Sequence, residues 1–252
     1  TTRSSFNFSR RIVRAEAGTR LPRQYSAAGR YSFERTELFD EIFTEEEKPL
    51  IDRLFPQVRL SKVAGSLIHD TRDDVVDTSR GTLLIVDADF AARAIGSEVG
   101  FVKTYIQGFA FRQLPSARRI VAAFAARVGA AHGFPREVPR VDDTGAPVLG
   151  PDGVQEVEIV QDLPASERFF AGGDTSVRGF SLDRLGTTDT ISPTGFPLGG
   201  NGIIVLNGEL RVSVLRALQA VGFVDAGNVY RRASDLDLTG LRPGAGVGGR
   251  GQ

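Results

Sequence analysis

The sequence predicts an all-β fold, and more specifically an antiparallel β-barrel that crosses a membrane. Three observations favour this class. Apolar and polar residues alternate with a period of two through most of the chain, which is typical of strands with two different faces. The polar faces mix charged residues with Gly, Ala and Val, and the apolar faces are rich in small residues, as in a barrel with lipid outside and water inside. One long segment, at about 132–200, lacks the alternation and predicts a long loop.

The alternation predicts eight strands and the beginning of a ninth. Within 203–212, for example, Asn207, Glu209 and Arg211 share one face, opposite the apolar residues Leu206 and Leu210. The predicted spans are 5–17, 24–38, 59–71, 81–93, 99–113, 117–130, 202–213, 219–231 and 244 onward.

The connections between these strands carry weaker local signals. A polar turn is predicted over 70–81, and a tight turn containing Pro115 over 114–117. Thr44 followed by three glutamates indicates a capping box, which predicts a short helix over 45–55. Residues 154–160 alternate again, so we expect a small hairpin within the long loop.

Composition excludes several function classes. The 252 residues include no cysteine, which excludes disulfides, thiolate metal sites and cysteine nucleophiles. His69 and His132 are the only histidines, which argues against a multi-histidine metal site. The net charge is zero, so no broad basic field indicates nucleic acid as a partner. We expect no cofactor and no metal.

No run of about 20 apolar residues predicts a transmembrane helix, whereas a barrel strand needs only about 9–11 residues. The chain opens within a predicted strand and stops at GVGGRGQ, which has the pattern of another strand. We therefore expect residues 1–252 to be a single β-barrel domain, incomplete at both ends. A soluble β-sandwich alternates in the same way and stays open as an alternative.

The most informative segment is RFFAGGDTSVRGF, which carries Arg178 between Val177 and Gly179. Glu209 and Asp225 follow in two predicted strands, each among apolar residues, where an unpaired charge is costly. The rigid guanidinium fork of Arg178 is suited to relieving that cost. Arg178 exposed to water, with Arg211 or another base pairing with the acids, is the alternative at this stage.

The residues around Arg178 predict a loop that folds back on itself. Gly172, Gly173 and Gly179 permit sharp turns and close approach of backbones. The apolar residues of this segment supply anchors for it: Phe169, Phe170, Val177 and Phe180.

An ordered series of motifs then indicates a family. The series GGDTSVRGF, GGNGIIVLNGELR, VGFVDAGNVY and LRPGAGVG resembles the C-terminal barrel of the bacterial surface antigen family, the BamA/TamA-like outer-membrane assembly and translocation factors. The upstream segment SLIHDTRDDVVDTSRGTLL is similar to the strand–turn–strand that precedes the signature loop in that family. The resemblance covers most of the chain from about Arg59 onward.

The resemblance implies a sixteen-stranded barrel preceded by periplasmic POTRA repeats, of which this chain covers the sixth strand to the fourteenth. It implies that the motif Val177-Arg178-Gly179-Phe180 lies at the tip of the sixth extracellular loop, folded into the lumen, with Arg178 paired to Glu209 and Asp225. The implied role is insertion or translocation of proteins at the bacterial outer membrane, without enzymatic chemistry. The implied partners are outer-membrane lipid, nascent β-barrel or secreted client proteins, and periplasmic accessory proteins.

Other functions stay open as alternatives. A two-partner secretion transporter shares the VRG(F/Y) loop, and a soluble β-rich surface-antigen or binding module shares the strand pattern. An enzyme ranks third: Glu209 and Asp225 as a glycosidase pair would be its form. Asp70, Asp73 and Asp74 are candidates for a metal cluster, although a solvated turn explains them as well.

Overall fold

The computed structural model describes residues 5–42, 59–114, 120–140, 142, 147–161, 163–215 and 218–251. The helix predicted over 45–55 and most of the turn predicted over 114–117 lie outside these residues. Within them, no helix has the length and hydropathy needed to span a bilayer.

Nine strands form one antiparallel sheet, and two short strands form a second. The large sheet has the order β1-β2-β3-β4-β5-β6-β9-β10-β11, so that neighbours in the chain are neighbours in the sheet except where β6 pairs with β9. Its strands are β1 (Ser5–Leu21), β2 (Tyr25–Ile42), β3 (Arg59–Asp70), β4 (Gly81–Ala91), β5 (Phe101–Gln113), β6 (Ile120–Gly133), β9 (Gly202–Leu215), β10 (Leu218–Tyr230) and β11 (Arg242–Gly251).

These nine strands confirm the predicted all-β antiparallel architecture, and the predicted boundaries differ by a few residues. The segment 154–160 does contain a strand, β8 (Val157–Val160), but its partner β7 (Arg136–Pro139) was not predicted. Arg136–Pro139 is too short to give a recognisable alternation, which explains the omission. We call the connection between β6 and β9, residues 134–201, the long loop.

The two faces of the large sheet differ in chemistry. We call the face covered by the long loop the inner face; its strands carry most of their charged side chains there, including Arg30, Lys62, Asp89, Lys103, Arg127, Glu209 and Asp225. The opposite, outer face exposes large apolar side chains on every strand: Val13, Tyr31, Val63, Leu84, Ile106, Phe124, Leu210, Val224 and Val247. Because so wide an apolar surface is unfavourable in water, the outer face is suited to lipid.

The turn between β3 and β4 reaches a distant part of the sheet. Asp73 shapes it by accepting hydrogen bonds from the Ser79 hydroxyl (2.5 Å) and from backbone N–H groups, and these bonds hold the pKa of Asp73 below its usual range. Its far end meets β10 and β11: Gln219 donates to the carboxylate of Asp77 (3.2 Å), and Arg250 donates to the carbonyl oxygen of Val76 (2.9 Å). In sheet order, β5, β6 and β9 separate β4 from β10.

The two-faced sheet predicts opposite responses to charge at adjacent positions of β5. Ile106 lies on the outer face and is 43% exposed. Its neighbour Gln107 points inward and lies opposite Arg127 in the register of β5 and β6. We expect Ile106→Arg to lower the free energy of unfolding in a bilayer by up to about 2–4 kcal/mol, because a cation then meets hydrocarbon. Gln107→Glu is the control for an inward-facing charge and should cost much less, because the new carboxylate faces Arg127; urea titration in lipid vesicles measures both changes. Equal costs at the two positions would contradict a lipid-facing outer surface.

Candidate functional site

The long loop packs on the inner face and contributes five of the thirteen residues in the buried apolar cluster of the described chain. Apolar loop residues join apolar residues of the strands in one cluster, which contains Leu163, Phe169, Ala171, Val177 and Leu185 from the loop and Phe101, Ala131, Ile203, Val205 and Val229 from the sheet. Val177 is completely buried. The loop is therefore held against the sheet by burial of apolar surface as well as by polar contacts.

Arg178 contacts both acids of β9 and β10. Its Nε and Nη2 donate to the two carboxylate oxygens of Asp225, each at 2.7 Å, in a bidentate pair. Its Nη1 donates to Glu209 at 2.6 Å, and its backbone N–H donates to Asp225 at 3.0 Å. The hydrogen bonds to Asp225 and Glu209 raise the pKa of Arg178 above its ordinary value, against the effect of burial, so the guanidinium stays charged.

Neighbouring polar groups extend this contact into a network on the inner face. Asn207 lies opposite Asp225 in the register and donates to its carboxylate (2.9 Å) and to the carbonyl oxygen of Ser176 (2.6 Å). Arg127 donates to Asn207 (2.9 Å), and Arg211 donates to the second oxygen of Glu209 (2.8 Å). The pairing of Arg211 with an acid, considered above as an alternative, therefore occurs together with that of Arg178: each arginine binds a different carboxylate oxygen of Glu209.

Burial sets the relative importance of the two acids. The Asp225 side chain has no exposed surface, whereas 19% of the Glu209 side chain and 20% of the Arg178 side chain are exposed. The Phe223 ring covers the guanidinium at 3.8 Å from its centroid and excludes further water. A fully buried carboxylate depends on its partners far more than a partly exposed one.

The loop glycines permit the turns that bring Arg178 to the acids. Gly172, Gly173 and Gly179 all have positive φ, at 114°, 88° and 93°. A β-carbon at Gly172 would also overlap the carbonyl oxygen of Ser181. This position therefore requires glycine for two reasons, its positive φ and the lack of space for a side chain. Phe180 packs against the buried cluster, and its ring lies under Arg242 of β11 at 4.9 Å.

Glycines of the strands form a feature that was not predicted from the sequence. Gly129 of β6 leaves room for the Phe169 ring, Gly227 of β10 for Val177, and Gly244 of β11 for the carbonyl oxygen of Arg178. A β-carbon would lie 2.5 Å from Phe169 at the first position and 2.8 Å from Val177 at the second. Gly129 and Gly227 lie two residues after Arg127 and Asp225, on the same face of their strands. This position on the charged face was the sequence signal from which their role could have been predicted.

The other candidate residues lie apart from this network. Asp70 binds Arg72 in the turn after β3, where Asp73 and Asp74 also accept hydrogen bonds from the turn itself. His69 stacks on Tyr25, and His132 lies edge-on to Phe134. Within the described residues, no group of three or more His, Cys, Asp or Glu side chains is arranged to hold a metal ion.

The geometry around Arg178 favours positioning over reaction chemistry. Both carboxylates are already engaged by guanidinium groups, and Asp225 is sealed from solvent, so neither is presented as a free acid or base. The glycosidase alternative therefore lacks support from the site. The arrangement neutralises two inward acids with a side chain of the loop that joins β6 to β9.

A nine-stranded antiparallel sheet with an apolar outer face and a charged, loop-covered inner face defines the class of transmembrane β-barrel walls. Comparison with known proteins identifies the family. Residues 1–249 match the model of the Omp85 superfamily domain, and the chain belongs to that superfamily.

A solved structure supports the fold. The chain is similar to BamA from Haemophilus ducreyi lacking POTRA domains 1–3, with a TM-score of 0.68 and 14% sequence identity. The match covers 96% of this chain and 48% of that one, so the chain spans about half of the BamA chain. No curated protein matches it. The predicted membership of a BamA/TamA-like family and the predicted antiparallel β-barrel fold are confirmed.

Removal of the Arg178 side chain tests how the inner acids depend on it. We expect Arg178→Ala to lower the free energy of unfolding by about 3 kcal/mol or more, because it leaves a fully buried carboxylate without its charged partner. Arg178→Lys should recover only part of the loss, since an ammonium group cannot reproduce the bidentate fork. Denaturant titration in detergent measures both. Arg184→Ala, at an exposed arginine of the same loop, is the control, and an equal effect there would contradict this account.

The glycine contacts give a test that leaves every charge in place. We expect Gly244→Ala to displace the tip of the long loop, because the new methyl group would overlap the Arg178 carbonyl oxygen. Gly248→Ala is a matched control in the same strand, with no atom within 4 Å of the added carbon. Limited proteolysis within the loop should be faster in the first variant only. Indistinguishable cleavage of the two would show that the loop does not need this close approach.

Proposed function

We propose that residues 1–252 form part of the wall of a β-barrel domain in the bacterial outer membrane, together with the loop that covers its inner face. The apolar outer face supports contact with lipid, and the charged inner face supports a wet lumen. In this arrangement Val177, Arg178, Gly179 and Phe180 form the tip of a loop folded into the lumen, with Gly172 and Gly173 as its turns.

The protein's function in this proposal is insertion or translocation of other proteins at the outer membrane. Membership of the Omp85 superfamily supports it. The observation that carries it is the contact of Arg178 with Asp225 and Glu209, because it ties a long loop to two adjacent strands of the wall. The shape of the wall then depends on the position of the loop.

The physical basis of such a function is the cost of unpaired backbone groups in lipid. A nascent strand entering a bilayer has N–H and C=O groups without partners, and pairing with the edge of an existing barrel satisfies them. A wall of defined shape presents such an edge reproducibly. The Arg178 network keeps the wall in a competent shape, without covalent chemistry and without a cofactor. The partners are outer-membrane lipid, client proteins rich in β-structure and periplasmic accessory proteins.

Reconstitution of the intact protein tests this function. An unfolded β-barrel client is added to vesicles with and without the protein, and folding is followed by the heat-modifiable migration of the client. We expect the wild-type protein to accelerate folding and Arg178→Ala to lose most of that acceleration, because the loop is no longer held in place. Arg184→Ala should behave as wild type.

Three outcomes would redirect the proposal. Acceleration by Arg178→Ala equal to wild type would remove the Arg178 network from the function. No acceleration of any membrane client, combined with export of a dedicated secreted partner, would favour a two-partner secretion transporter. A monodisperse folded monomer without detergent would favour a soluble β-rich module.

A further inference from the structure

A second cluster of charged residues joins the long loop to β3, β4 and β5 on the inner face, whereas the acids that Arg178 contacts lie on β9 and β10. Glu167 lies in a single 3-10 turn (Ala165–Glu167) of the loop and is only 3% exposed. Lys62 of β3 donates to both of its carboxylate oxygens, at 3.0 and 3.1 Å. Lys103 of β5 lies 3.8 Å from the same carboxylate, and Asp89 of β4 lies 3.6 Å from Lys62.

The charges of this cluster balance only when the loop is in place. Asp89 and Lys103 face each other across β4 and β5, and Lys62 lies on the adjacent strand. These three strand residues carry a net charge of +1, and Glu167 brings the sum to zero. A nearly buried carboxylate is stable only where such partners surround it, so the strands provide a site specific for one acid of the loop.

Apolar and aromatic contacts surround this ionic cluster. The Lys103 ammonium lies 4.8 Å from the centroid of the Phe169 ring, which also packs on Tyr105 at 5.5 Å. Ala165 and Leu163, on either side of Pro164, are buried. Arg168 donates to the carbonyl oxygens of Leu163 (2.8 Å) and Leu198 (3.1 Å), which holds the middle of the loop to its end.

We propose that Glu167 is a second anchor of the long loop, which fastens the middle of the loop to β3, β4 and β5 independently of the attachment of Arg178 to β9 and β10. Glu167 and Lys62 act as positioning residues. The two anchors contact strands on opposite sides of β6. The loop therefore connects two parts of the wall and fixes their relative position. Loss of either anchor frees one part of the loop and leaves the other attached.

Thiol accessibility at two loop positions tests this independence, because the chain contains no cysteine. In a cysteine-free form of the intact protein, Ala165→Cys reports on the Glu167 anchor. Ala171→Cys reports on the segment 171–185 that carries Arg178, because Ala171 and Leu185 form the β-bridge that closes this segment. Both alanines are buried. The probe is a membrane-impermeant maleimide. We expect Glu167→Gln to raise the labelling rate at position 165 by more than about tenfold and to change position 171 little, because local opening exposes only the released part. Arg178→Ala should give the reverse pattern.

Two further variants control the experiment. Glu158→Gln removes an exposed carboxylate of the same loop and should leave both labelling rates unchanged. Lys62→Gln should reproduce the effect of Glu167→Gln, and the double variant should add little to either single change if the two residues act as a pair. Heat-modifiable migration of each variant verifies that the barrel is folded, and Lys62→Gln provides the test if Glu167→Gln does not fold.

Two results would overturn the proposal. Position 165 staying protected in both Glu167→Gln and Lys62→Gln would show that the ion pair does not hold the loop. Equal exposure of positions 165 and 171 in every variant would show that the loop is released as one unit. Neither readout depends on client folding, so the anchor and the proposed function fail or succeed separately.

Discussion

The arrangement of the inner face depends on one interaction, the bidentate pair between Arg178 and the fully buried Asp225. A carboxylate without exposed surface in the middle of a strand is tolerated only because a guanidinium reaches it, and that guanidinium comes from a loop. Asn207, Glu209, Arg127 and Arg211 are then arranged around the pair. The fold of the long loop and the register of β9 and β10 are therefore coupled through a single side chain.

The sheet accommodates two incompatible environments by the simplest property of a strand, the alternation of its side chains. The outer face carries the apolar surface, and the inner face carries the charges together with glycines that admit the loop. A shift of one residue in the pairing of β9 with β10 would turn the acid of the shifted strand, Glu209 or Asp225, to the outer face and separate the two acids. The loop contacts thus reinforce a register that the apolar pattern already favours.

The sequence was sufficient to predict the strands and the antiparallel barrel class, because period-two alternation extends over ten or more residues in each long strand. It also singled out Arg178, Glu209 and Asp225, since isolated charges among apolar residues require partners. It did not predict β7, which is too short for a periodic signal. Nor did it indicate Glu167, whose partners Lys62 and Lys103 are 105 and 64 residues away in the chain and are ordinary strand lysines by pattern alone. Pairings of this kind depend on how the loop folds, which local sequence does not encode.

The turn between β3 and β4 has a mechanical consequence. Hydrogen bonds between distant strands limit how far a sheet can bend or flatten. The bonds from Gln219 to Asp77 and from Arg250 to the Val76 carbonyl oxygen connect this turn to β10 and β11 across three intervening strands. The long loop makes a second connection of this kind, near the other ends of the strands. A sheet that is cross-linked at both ends of its strands changes its curvature less readily than a sheet without such contacts. Flattening of this region therefore requires these contacts to break first.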